Sequence, residues 1–317
     1  MRYQIKDFTS DHIKAAEKIA CREYERAHSQ ISALPAVTGV PSLLPYAQNG
    51  LGVAAFSGGQ LMGFLCSVPP FPRAFRSTDA VGVFSPMGAN GAVFTDRAEI
   101  YAQMYQAAGK KWAAAGASSH AVCLYACDGE AERQLFRYGF GLRCIDAIRR
   151  LDKTGPAPAS ELSMKELAPG EMAETLPLAH ALDAHMAASP TFLSRPSDTE
   201  SEYLRKTEQS RARLFAAYDG KNIVAFLKTE RNGETFIGNG PGYLHITGAF
   251  CLPEYRGKGI NAALLYFTMH CLKRDGAVFL GVDFESINPA ADHFWRRHFD
   301  VYTHSVVRRI DEHSLGQ

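Results

Sequence analysis

The chain has 317 residues, enough for about two domains of ordinary size. Hydrophobic residues make up 46% and charged residues 21%, which excludes an intrinsically disordered chain. With 34 Lys and Arg against 33 Asp and Glu, the formal charge is +1, and no overall attraction to nucleic acid or an anionic membrane is expected.

The opening stretch MRYQIKDFTSDHIKAAEK is polar and lacks the apolar core of a signal peptide. No apolar run approaches the ~20 residues needed to span a bilayer, so a soluble, cytoplasmic protein is expected. RYQIKDF reads as a strand, and SDHIKAAEKIACREYERA as a helix capped by Ser10 or Asp11. AAFSGGQLMGFL (54–65) has apolar runs on either side of a glycine turn and predicts a hairpin. MGANGAV (87–93) reads as a flexible loop, AEIYAQMYQAAGKKWAAAG as a helix ending at Gly116, and HAVCLYA as a strand. DKTGPAPASE (152–161) has the composition of a linker, which divides the chain into domains at 1–152 and 162–317.

Beyond the linker the order repeats. LSMKELA and GEMAETLPLAHALDAHMAA predict a strand and a helix, with Pro177 kinking or restarting the helix. AAYDGKNIVAFL (216–227) aligns without gaps to the first hairpin, with Ala54/Ala216, Ala55/Ala217, Gly58/Gly220, Phe64/Phe226 and Leu65/Leu227 identical. Strand YLHITGAFCL, a helix over 259–275, strand AVFLGVDF and helix NPAADHFWRRHF follow. LFRYGFGLRCIDAIRRLD (135–152) matches FWRRHFDVYTHSVVRRID (294–311), including Arg149/Arg308, Arg150/Arg309 and Asp152/Asp311. Two matches in one order predict duplicated domains, each a mixed, mostly antiparallel sheet flanked by helices, an α/β fold. The seven cysteines have no metal-site spacing. Cys66, Cys123 and Cys251 sit among apolar neighbours and read as reduced core residues, with no metal expected.

AFCLPEYRGKGINAALL (249–265) carries the chemistry. Pro253 ends a strand, Gly257 and Gly259 flank Lys258, and an amphipathic helix follows at Ile260, Ala263, Leu264, Phe267 and Cys271. Free N–H groups at that helix start, the positive end of its dipole, and Arg256 with Lys258 suit an anion such as a pyrophosphate. The spacing is that of neither the Walker loop nor the dinucleotide fingerprint.

The stretch resembles the acyl-CoA motif of the GCN5-related N-acetyltransferase (GNAT) superfamily, Arg/Gln-x-x-Gly-x-Gly/Ala, with Arg256 and Gly259 at its fixed positions and Asn261 in place of its small last residue. NPAADHFW (288–295) is similar to that family's Asn-x-x-Ala-x-x-Phe-Tyr helix. The resemblance implies that backbone around Phe250, Cys251 and Leu252 holds a pantetheine arm. It implies a pyrophosphate on Gly257, Lys258, Gly259, Ile260 and Asn261, and Asn288 on the opposite wall. The implied reaction is direct attack of an amine on acetyl-CoA as co-substrate, with a base to strip the ammonium proton. Trp295 stands where the family often has an acidic Tyr, and Thr247 where it often has a Glu base. Asp283, Glu285 and His245 are the remaining candidates for the base, with no choice among them. The first half has Arg97 near the corresponding place but no glycine pair, so it is expected to wall the substrate cleft and not to bind cofactor. The expectation is an N-acetyltransferase acting as monomer or homodimer on a small-molecule or peptide amine, without nucleic acid or membrane partners. A silent acyl-CoA sensor and an aminoacyl-tRNA-dependent transferase are the alternatives.

Overall fold

In the computed structural model, residues 3–315 are described, apart from 38, 77–78 and 232. The first strand, β1 (Gln4–Asp7), pairs with β2 (Val53–Ser57) in the register Gln4↔Phe56 to Asp7↔Val53. Between them lies α1 (Ile13–Gln30), which buries Ala16, Ile19, Ala20, Tyr24 and Ala27 at helical spacing, and the short α2 (Leu44–Gln48). The expected cap at Ser10 or Asp11 is not formed. Ser10–His12 is a 3-10 turn, and the Thr9 backbone N–H donates to His12 Nδ1 at 3.1 Å. β2 and β3 (Gln60–Leu65) make the expected hairpin, with Gly58 and Gly59 at φ 55° and 80° in its two-residue turn.

β4 (Gly82–Ser85) and β5 (Asn90–Ala92) follow. The expected loop MGANGAV is thus partly strand, with β5 pairing antiparallel to β3 from Gly63↔Ala92 to Leu65↔Asn90. Gly91 is there for close approach, since a Cβ would lie 3.1 Å from Ile19 and 3.4 Å from Glu23. Next come α3 (Arg97–Ala114), β6 (Ser119–Tyr125), α4 (Gly129–Arg137) and β7 (Gly141–Arg150). β6 is buried at every position and pairs in parallel with β4.

Of the expected linker, 152–161, the first two residues belong to a 3-10 turn, Leu151–Lys153, and 154–161 carry neither helix nor strand. β8 (Ser163–Glu166) and a 3-10 stretch, Pro169–Thr175, lead to α5 (Leu176–Ala187), which Pro177 restarts from its first turn. α6 (Glu200–Gln209) is capped by Thr199. β9 (Arg213–Asp219) and β10 (Asn222–Glu230) form the second hairpin. β11 (Tyr243–Cys251), α7 (Ile260–Arg274), β12 (Phe279–Glu285) and α8 (Pro289–His298) complete the pattern. Leu214, Ala216, Phe226 and Phe250 pack on one sheet face with Leu178 of α5 and Tyr203 of α6. Phe215 turns to the other face and meets Phe267 of α7 at 6.4 Å.

After β13 (Asp300–Val301), the chain ends in β14 (Thr303–Arg309). The chain divides into two compact units, Met1–Asp146 with Val301–Gln317, and Ala147–Asp300. The expected domain ends at 152 and 317 differ from this division. β14 pairs with β6 from Thr303↔Tyr125 to Arg309↔Ser119, and Val306 is fully buried in the first unit's core. The match between 135–152 and 294–311 identified a related strand, but sequence similarity does not carry the choice of sheet, which depends on register. Each unit is a mixed α/β arrangement of sheet and flanking helices.

Candidate functional site

The parallel register of β11 with β12 runs from Tyr243↔Phe279 to Ile246↔Val282, yet β11 continues to Cys251 and β12 to Glu285. The two strands therefore open into a wedge beyond Ile246 and Val282. A bulge lies at the opening: β10 pairs Lys228↔Gly248 and then Thr229↔Ile246, so Thr247 is the extra residue. Bulges bend a strand and reset its alternation. Thr247 is accordingly exposed, while His245, two residues before it, is buried.

Past the wedge, Pro253–Tyr255 turns the chain into the glycine loop. Gly257 and Gly259 have φ of 75° and 77°, and a Cβ on either would meet nothing within 4 Å. Conformation, not crowding, calls for glycine at both. Gly259 is the N-cap of α7 and offers no side chain, so first-turn N–H groups are left for a ligand.

A cleft of about 520 Å³ lies here, between α5, the end of β11, the loop and α8. Of the ten residues expected around a cofactor, Phe250, Cys251, Arg256, Gly257, Gly259, Ile260, Asn261 and Asn288 line it. Leu252 packs instead against the core beneath α5, and the Lys258 ammonium sits 5.2 Å above the Tyr255 ring. Arg256 turns back along the strand: its Nε donates to the Cys251 carbonyl at 3.0 Å, and its guanidinium lies 5.1 Å over Phe250. Asn288 is the N-cap of α8, its Oδ1 accepting from the Ala291 N–H at 3.4 Å and its Nδ2 donating to Met186 Sδ at 3.6 Å. Sequence reading missed Leu182 and His185 on α5 and His293, Phe294 and His298 on α8. Helical spacing along α8 was the available signal. Trp295 is buried, edge-on to Phe294 at 4.8 Å and Phe299 at 5.6 Å. Burial, then the positive Arg149 and Arg297, lower the His298 pKa.

Two of the three candidate bases are joined. His245 Nε2 lies 2.8 Å from Asp283 Oδ1, and His245 Nδ1 lies 3.1 Å from the Tyr243 hydroxyl. His245 is 2% exposed and Asp283 30%. Gly281 reserves the space, since a Cβ there would fall 1.7 Å from the Tyr243 hydroxyl and 2.8 Å from His245 Nδ1. Glu285 lies two residues further along β12, on the same face by strand alternation.

The first unit answers differently at the corresponding places. The equivalent of β11 is broken into β4, which pairs with β6, and β5, which pairs with β3. Asn90 fills the break, its Nδ2 donating to Ser85 Oγ and to the Cys123 carbonyl at 3.1 Å each, and its Oδ1 accepting from Tyr101. Arg97, placed by the sequence near the anion loop, is instead buried between Glu23 and Asp128. Asp128 caps α4 as Asn288 caps α8. The cavity beside it is rimmed by Arg22, Glu25, Glu130 and Arg133, where the second unit has Leu182, His185, Ala290 and His293.

Among the described residues no group of His, Cys, Asp and Glu could hold a metal ion, and no helix is long and apolar enough to cross a membrane. Residues 180–299 match the model of the acetyltransferase (GNAT) family. No curated protein sequence matches the chain. The solved structure of a GCN5-related N-acetyltransferase from Sphaerobacter thermophilus is similar, with a TM-score of 0.55 and 16% identity over 97% of this chain and 96% of that one. A glucosamine N-acetyltransferase region of a fungal multi-domain β-N-acetylglucosaminidase gives a TM-score of 0.53 and 13% identity, over 96% of this chain and 38% of that one. At these identities the likeness is one of fold. The family match spans the wedge, the glycine loop and the cleft, so the part of the chain that is similar to the GNAT acetyltransferase family is the part that holds the candidate site.

Proposed function

We propose that the second unit is an acyl-CoA-dependent N-acyltransferase that moves an acetyl group from acetyl-CoA to an amine of a small molecule or peptide. The observation that carries this reading is the opening of β11 away from β12 directly before the uncapped, glycine-led start of α7. The free strand edge suits an amide-bearing pantetheine arm, and the helix start suits a pyrophosphate. Holding thioester and amine together in one cleft supplies much of the acceleration, since it turns an encounter of two solutes into a reaction within one complex. A cytoplasmic setting is part of the proposal, in keeping with Cys66, Cys123 and Cys251, which lie buried as thiols.

The test is thiol release from acetyl-CoA in the presence of glucosamine, spermidine and a glycine-led tripeptide, with mass spectrometry of the amine product. Acetylated amine is expected from at least one acceptor class. Folded protein that shows no affinity for acetyl-CoA overturns the reading.

A second reading, a silent acyl-CoA binder, is favoured by Trp295, which stands packed in an aromatic cluster and has no useful proton for a thiolate. It expects acetyl-CoA binding without thiol release.

A further inference from the structure

We infer that Asp283 takes the acceptor's proton and that His245, backed by Tyr243, is its positioning residue. This rests on the acyltransferase reading above. Asp283 is the first residue of β12 beyond the last paired position, Ile246↔Val282, so it stands at the apex of the wedge. Asp283 does not line the cleft itself but is 30% exposed, whereas His245 at 2% is covered and its Nε2 is already engaged. Glu285 lies further out along the wedge, past the apex.

The hydrogen-bond chemistry fixes the direction of the chain. An ionised carboxylate only accepts, so Nε2 of His245 carries the hydrogen and donates it to Asp283 Oδ1 at 2.8 Å. In the neutral imidazole Nδ1 then accepts from the Tyr243 hydroxyl at 3.1 Å. Oδ1 is thereby held, and Oδ2 is left for the acceptor. Two glycines support the arrangement, because a Cβ at Gly281 would strike Tyr243 and one at Gly233 would lie 3.0 Å from His245 Nδ1. A structural pair needing only burial has no need of a half-open carboxylate at one end.

The proton ledger closes. The acceptor enters as R–NH3⁺, an N–H bond breaks, and the proton moves to Asp283 Oδ2. The freed amine attacks the thioester carbon, a C–N bond forms, and the C–S bond breaks with its electron pair leaving on sulfur. The nitrogen sheds a second proton. One of the two protons ends on the thiol and the other returns to water.

Three measurements test the assignment. Isothermal titration of acetyl-CoA against wild type, Asp283→Asn and His245→Leu is expected to give equal affinity. Thiol release with the three acceptors is expected to lose about 10²–10⁴-fold in kcat for Asp283→Asn. For His245→Leu a loss of at least about tenfold in kcat, with KM unchanged, is expected, and His245→Gln, which keeps an N–H donor, is expected to recover most of it. Nitrogen-15 spectra of histidine-labelled wild type need no acceptor and no variant, and are expected to show His245 protonated at Nε2. Wild-type turnover in Asp283→Asn, equal rates in the Leu and Gln variants, or an unprotonated Nε2 would each overturn the inference and leave acetyl-CoA binding intact. Failure of the wild type to bind acetyl-CoA would instead remove the reading on which it rests.

Discussion

At the scale of single residues, Gly281 and Arg97 separate the two units. In AVFLGVDF nothing marks Gly281 as more than a glycine within a strand, because the partner that forbids a side chain, Tyr243, lies on another strand. Gly281→Ala is expected to cost about 1–3 kcal/mol and to dislodge the Tyr243–His245 pair, read by urea denaturation. The partners of Arg97 were hidden in the sequence for the same reason. Its neighbours Glu23 and Asp128 come from α1 and the cap of α4, so the residue that corresponds to Arg256 of the glycine loop is a buried, paired one. Burial raises the Glu23 pKa, while Arg97 opposes that shift. Arg97→Met is expected to lose about 3–5 kcal/mol by leaving two buried carboxylates uncompensated, with part regained when Glu23→Gln is added. Wild-type stability in Arg97→Met would contradict the buried placement.

Elements were read more securely than their partners. Both hairpins, the helix at Ile260 and the strand–helix pairs near each end followed from apolar period and turn chemistry, which are local properties. The wedge, the bulge at Thr247 and the strand at 90–92 did not, because each depends on which strand lies alongside. β6 offers a pH test at this scale. His120, on that strand, is packed edge-on to Trp112 at 5.2 Å, and burial lowers its pKa to about 4. The unfolded chain binds the proton more readily, with an ordinary value of 6.5, so stability from this residue is present above that pH. It is lost as pH falls from 6.5 towards about 4, by on the order of 3 kcal/mol in full. His120→Phe is expected to flatten the stability profile across that window, and an unchanged slope would count against the buried neutral imidazole.

Over the whole molecule, the repeat in the sequence corresponds to two units with parallel inventories and opposite treatment of one place. The second unit leaves its wedge open, leads it into glycines and lines the cleft with Leu182, Phe250 and Phe294. The first fills the break with Asn90, closes over Arg97 and rims its cavity with charge. The absence of a glycine pair near Arg97 was legible in the sequence, but the filling of the break was not, since Asn90 gains its meaning from Ser85 and Cys123. One molecule of acyl-CoA per chain, held by the second unit, is what the proposed function predicts. Isothermal titration of acetyl-CoA into wild type and Gly259→Asp tests it most directly. A stoichiometry of about one, abolished by a carboxylate at the start of α7, is the expected result. Two equivalents bound, or unchanged affinity in Gly259→Asp, would contradict it.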